Sequence, residues 1–136
     1  MVTGRFGGNV PFVEITLAWS DSVRTEVFTL DTGFTGDLQV TPKVAIELGL
    51  QVSGITPVSI ANGDRVDTPT AIVLADMEGV TKPVSVLISK GSQLAGIGFL
   101  RKFGYRATFS PRSDSIELER DRESDEATPQ ERTLRF

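Results

Sequence analysis

The chain contains no cysteine and no histidine among its 136 residues. Without cysteine there is no disulfide framework and no thiolate nucleophile. Without histidine, Ser-His and Cys-His nucleophile systems are excluded, and so is the commonest zinc ligand. An enzyme built from this chain must take its acid and base from Asp, Glu, Lys or Tyr, or from a metal held by carboxylates. No metal site and no cofactor is expected. A basic block is also missing: the net charge is −4, which gives no footprint for nucleic acid. No apolar run approaches the roughly 18 residues of a membrane span, so no membrane partner is expected. The segment "MVTGRFGGNVPF" lacks the apolar stretch of a signal peptide, and a cytoplasmic location is expected, or else an export signal that has been removed.

What is present suits one domain of ordinary globular composition, 39% apolar and 24% charged. In "FVEITLAW" the residues Val13, Ile15, Leu17 and Trp19 alternate with Glu14 and Thr16, the period of a half-buried strand. "VRTEVFTL" reads as its hairpin partner. "TPKVAIELGL" reads as a helix of about two turns, with Thr41 as cap, Pro42 at the first position, Gly49 at the end and Val44, Ala45 and Leu48 facing inward. Two β segments flank "ANGD", where Asn-Gly marks a hairpin. "KPVSVLIS" adds a strand, "GFLRKF" a short helix, and "YRATFS" and "SIELE" two strands about "PRSD". The sum is an all-β, or mostly β, domain over residues 1–119 with two short helices. From Arg120 onward the sequence is charged and of mixed sign, a tail of residues 120–136. Its "TLRF" end could lie in an extended strand, with Leu134 and Phe136 on one side.

One stretch carries candidate chemistry. "LDTGFTGDLQV" places Asp31 directly after a strand-like run and then breaks the chain at Gly33 and Gly36. Glycine takes positive φ without steric cost, so a sharp turn is expected there, with the acid presented from a strand end. Asp-Thr-Gly alone is unspecific, since a turn aspartate capping nearby N–H groups has the same look. Its surroundings add specificity. "QLAGIGFLRKF" follows about sixty residues later, with "IANGDRV" between the two.

This ordered set resembles the retropepsins, the single-domain aspartic proteases of retroviruses, and more closely their bacterial single-domain relatives. "DTGFTG", the helix "VTPKVAIELGL", the hairpin "IANGD" and the motif "LAG" followed by a short helix carry the resemblance, over roughly residues 10–119. It implies a closed acid-protease barrel, with Asp31, Thr32 and Gly33 as the catalytic loop. It further implies that Thr32 holds two such loops together across a dimer and that Gly33 lets backbone pass close to the carboxylates. Two departures stand out. Retroviral members carry Ala or Ser after the triplet and then acids that grip the substrate; here Phe34, Thr35 and Gly36 stand there. A branched residue is usual where this chain has Ala95.

Peptide hydrolysis by carboxylates needs two of them, one to take a proton from water and one to protonate the scissile carbonyl. The chain offers one triplet, so the second acid must come from a second copy: a symmetric homodimer with two Asp31 side chains on its axis. The hairpin at Asn62 and Gly63 is expected to act as a flap over a peptide or protein substrate bound as an extended strand. Phe34, Thr35, Leu38, Ile60, Ala61, Asn62, Gly63 and Ile97 are the expected substrate contacts. A catalytically silent dimerisation or protein-interaction module on the same fold is the competing reading. D-x-G-x-T, here Asp31, Gly33 and Thr35, also resembles the first phosphate loop of actin-like sugar kinases, but the second loop and second lobe those proteins need are missing.

Overall fold

The computed structural model describes residues 1–121. Ten strands and two α-helices follow one another: β1 Val2–Gly7, β2 Val10–Trp19, β3 Ser22–Leu30, β4 Leu38–Val40, α1 Pro42–Leu48, β5 Gly54–Ser59, β6 Arg65–Met77, β7 Val80–Ile88, β8 Leu94–Ala95, α2 Ile97–Phe103, β9 Tyr105–Ser110 and β10 Ser115–Arg120. The mostly-β expectation holds. β10 runs to Arg120, one residue beyond the expected domain boundary. Leu134 and Phe136 lie outside the described residues.

The strands order as β5-β6-β7-β4-β8-β3-β2-β1-β10-β9, and a further pairing joins β6 to β2. That pairing closes β6, β7, β4, β8, β3 and β2 into a ring. The middle of β2 makes closure possible: its first residues pair with β1, while Thr16, Leu17 and Ala18 pair with Asp76, Ala75 and Leu74 of β6. A closed ring leaves no free edge within itself. β5 hangs from β6 as one arm of a hairpin, and β1, β10 and β9 extend from β2 on the other side.

The core follows the alternation read from sequence. Val13, Ile15 and Leu17 of β2 are buried against Phe28 and Leu30 of β3, Leu38 and Val40 of β4, and Val73 of β6. Trp19 is only partly buried at the end of its strand. Phe99 and Phe103 of α2 pack with centroids 5.1 Å apart. In α1 the Thr41 hydroxyl accepts from the Val44 amide at 3.3 Å, Gly49 closes the helix at φ 72°, and Val44, Ala45 and Leu48 are buried. β1 was not legible as a strand because Gly4 and Gly7 interrupt it. A Cβ on Gly4 would run into the Phe12 carbonyl oxygen on β2, so this glycine lets the two strands close.

Among the described residues no helix is long and apolar enough to cross a membrane.

Candidate active site

β3 delivers Asp31 to a fixed position. Its last residue, Leu30, is buried and pairs in parallel with Ala95 of β8. The ladder continues one step further, because the Asp31 amide donates to the Ala95 carbonyl at 2.9 Å. The chain then turns: the Phe34 amide donates to the Asp31 carbonyl at 3.1 Å, and the Gly33 amide donates to Asp31 Oδ1 at 2.9 Å. One carboxylate oxygen is thereby oriented by the backbone of its own loop.

The turn differs from the sequence expectation in its cause. Neither Gly33 nor Gly36 takes a positive φ. What these positions require is space. A Cβ on Gly33 would lie 3.2 Å from Asp31 Oδ1, and one on Gly36 would lie 2.7 Å from the Phe34 ring.

The rest of the loop is held by the start of α2. A helix leaves its first amides without intrahelical partners, and Gly96, at the cap position, has no side chain to help. The loop supplies acceptors instead. Gly96 donates to the Asp37 carbonyl at 2.9 Å, Ile97 to the Phe34 carbonyl at 2.9 Å and Gly98 to the Gly36 carbonyl at 3.0 Å. Helix start and loop thus satisfy one another, and both glycines are needed for the approach. A side chain on Gly96 would strike the carbonyl oxygens of Phe34 and Gly36.

Asp37 anchors the far end of the loop. It is 9% exposed. Its Oδ2 accepts from the Ser85 amide at 3.0 Å and forms an ion pair with Lys102 of α2. A buried carboxylate needs such partners, since an unpaired one would be strongly penalised.

Two concavities flank the loop. Asp31 and Thr32 border a shallow hollow of about 470 Å³, together with Asn9, Val10, Pro11 and Phe109. Among the residues lining it, Asp31 is the one carboxylate. On the other side, Gly33, Phe34 and Thr35 form the floor of a larger cleft of about 670 Å³, roofed by Thr56 to Ser59 of β5. Asp37, Leu38, Leu87 and Lys102 are among the residues of its walls.

The hairpin of β5 and β6 closes through the five residues 60–64. The Ile60 amide donates to the Asp64 carbonyl and the Gly63 amide to the Ile60 carbonyl, each at 2.9 Å, with Gly63 at φ 88°. This is a turn followed by a left-handed glycine, one of the common hairpin closures. Ile60, Ala61, Asn62 and Gly63 form the exposed tip, outside the lining of either concavity. Ile97 also lies elsewhere: it lines a third hollow with Leu100, Arg101 and Tyr105. Of the expected substrate contacts, the structure gathers Phe34, Thr35 and Leu38 in one cleft, beside Gly33 of the expected catalytic loop.

No protein-family model matches the chain, and no curated protein matches it. Solved structures do. The EIAV protease, in complex with the inhibitor HBY-793, superposes with a TM-score of 0.59 at 17% identity, over 74% of this chain and 93% of that one. A retropepsin-like aspartic protease from Rickettsia conorii superposes with a TM-score of 0.56 at 18% identity, over 88% of this chain and 89% of that one. The chain has the retropepsin-like fold.

Within this retropepsin-like domain, several residues at the site were not singled out from sequence. Val58 could have been, as an apolar residue of the β segment that leads into the Asn-Gly hairpin. Asp37 closes the glycine-broken loop and could have been read as a buried anchor. Lys102 carries no such signal, since a lysine near the end of a helix is ordinarily solvated. Val10 borders the Asp31 hollow from the start of β2, which pairs with β3, and Phe109 reaches it through the β1–β10–β9 extension.

Proposed function

We propose that this chain is an aspartic endopeptidase, active as a symmetric homodimer in which two Asp31 carboxylates meet. The observation that carries the reading is the setting of Asp31. A strand end, a parallel partner strand and a helix start fix its loop, yet its side chain borders an open hollow that holds no second acid from the described residues. Carboxylates about 3 Å apart cannot both ionise and so share a proton. One Asp31 then takes a proton from water as it attacks the scissile carbonyl, while the other protonates the carbonyl oxygen. Thr32 is exposed beside Asp31, and in this reading it meets its mate across the two-fold axis. The substrate peptide lies extended between the loop and the hairpin, whose tip residues Ile60, Ala61, Asn62 and Gly63 close over it.

Asp31→Asn tests this reading. The variant is expected to remain a folded dimer and to lose cleavage of apolar peptides between pH 4 and 7. Undiminished proteolysis would refute it. A wild-type dimer that cleaves nothing would leave the silent interaction module.

A further inference from the structure

The larger cleft has a chemical feature that the two-carboxylate mechanism does not use. Its walls are mostly apolar or hydroxylic: Phe34, Leu38, Val58 and Leu87, with Thr35 and Thr56. Charge enters the lining at Asp37 and Lys102, which are paired with each other. The two partners are unequally placed. Asp37 is nearly inaccessible, and its Oδ1 is turned toward Gly98, while Oδ2 is taken by the Ser85 amide and Lys102. The Lys102 side chain is 45% exposed. An ammonium has three donors and no acceptor. With one donor directed to Asp37, the others meet no acceptor among the described residues, and Lys102 lines the cleft with its ammonium held by the ion pair.

We propose that Lys102 is the specificity-determining residue of this cleft, which takes a substrate side chain with an apolar stem and a hydrogen-bond acceptor at its tip, as in glutamine or glutamate. This rests on the peptidase reading and names the substrate class for the same site. The stem suits the apolar walls. The tip carbonyl or carboxylate accepts from Lys102, which is held ready and loses little freedom on binding. Because Asp37 offsets the lysine charge, the neutral amide of glutamine is the better tip, and glutamate follows it. A lysine or arginine side chain would bring a second cation to a group that can only donate.

The full chain carrying Asp31→Asn allows binding to be read without turnover. The probe is an apolar peptide with Gln, Glu, Met or Lys walked through each position, measured by calorimetry. At one position the Gln peptide is expected to bind about tenfold tighter than its Met counterpart, the size of one charge-assisted hydrogen bond. The Glu peptide should fall between them and the Lys peptide below Met. Lys102→Met should erase the preference for Gln over Met. Because that change leaves Asp37 buried without its cation, the pair Asp37→Asn with Lys102→Met is measured beside it, and the same loss is expected. Equal binding of Gln and Met peptides at every position overturns the assignment, as does a preference that survives both variants. Either result leaves the peptidase reading intact. Peptides that neither bind the Asp31→Asn chain nor are cut by the wild type overturn the peptidase reading, and the subsite with it.

Discussion

Asp37 occupies the space that a side chain at Gly98 would need. A Cβ on Gly98 would run into Asp37 Oδ1 and lie 2.9 Å from the Gly36 carbonyl oxygen. Gly98 is a helical residue, so intrinsic propensity favours alanine there by about 1 kcal/mol. The obstruction is a buried, ion-paired carboxylate and a backbone carbonyl that itself accepts from the Gly98 amide. Neither can swing away as the end of a flexible side chain could, so sterics outweigh propensity.

Gly98→Ala is therefore expected to destabilise the domain by about 1–3 kcal/mol, the usual range for overpacking. The shift should show as a lower denaturation midpoint with an unchanged slope. Asp37→Ala combined with Gly98→Ala should cost less than the two changes summed, since part of the obstruction is then absent. Strict additivity would mean that the carboxylate does not set the requirement for glycine.

Mixing wild-type chain with Asp31→Asn chain separates a shared acid pair from a self-sufficient site. At equal amounts, random pairing leaves about a quarter of dimers with two aspartates. Activity per total chain should fall to about a quarter of an all-wild-type sample. A monomeric enzyme would retain about half.

Much of the barrel was legible because its information is local. Alternation in "FVEITLAW" marked β2, Thr41, Pro42 and Gly49 marked α1, and the Asn-Gly pair marked the β5–β6 hairpin. The position of Asp31 at a strand end followed from an apolar run interrupted by glycines. What stayed hidden depends on distant chain segments. β1 became a strand only because β2 and β10 pair with it. Gly33 and Gly36 were correctly singled out but for the wrong reason: Asp31 and Phe34 crowd them, and no left-handed backbone is involved. The pairing of Asp37 with Lys102 spans 65 residues, a separation at which sequence patterning is silent. Ile97 was expected among the apolar residues of the substrate cleft, yet it is the amide of Ile97 that serves the loop, through the Phe34 carbonyl, while its side chain lines another hollow.

The proposed dimer can be weakened without touching the catalytic loop. Val10 and Phe109 are 40% and 37% exposed and border the Asp31 hollow. A two-fold axis through that hollow would bring each close to the partner copy. Phe109→Glu and Val10→Asp should then raise the dimer dissociation constant at least about tenfold, through lost apolar burial and like charges facing across the axis. Surface changes of this kind should alter the stability of the chain itself by no more than about 0.5 kcal/mol. Sedimentation equilibrium reads the first effect and thermal denaturation the second. Unchanged dimerisation in both variants would place the interface elsewhere.

Glu78 and Tyr105 couple stability to pH at both ends of the scale. Glu78 Oε2 accepts from the Met1 amine at 2.7 Å, and its Oε1 accepts from the Tyr105 hydroxyl, also at 2.7 Å. The amine first, then the Tyr105 hydroxyl, hold the Glu78 carboxyl below its ordinary value of 4.5. A lowered carboxyl contributes stability that is present above that ordinary value and is lost as pH falls through the folded one. Burial first, then the bond to Glu78, push the Tyr105 phenol above its ordinary value of 10.0. A raised phenol contributes stability that is complete below 10.0 and declines as pH rises above it. Tyr105→Phe removes the phenol and one of the donors to Glu78. Relative to wild type, its stability should fall less steeply below pH 4.5 and less steeply above pH 10. Urea denaturation of both proteins across that range measures the difference curve. Parallel profiles at both ends would show that the Glu78–Tyr105 bond carries no linkage.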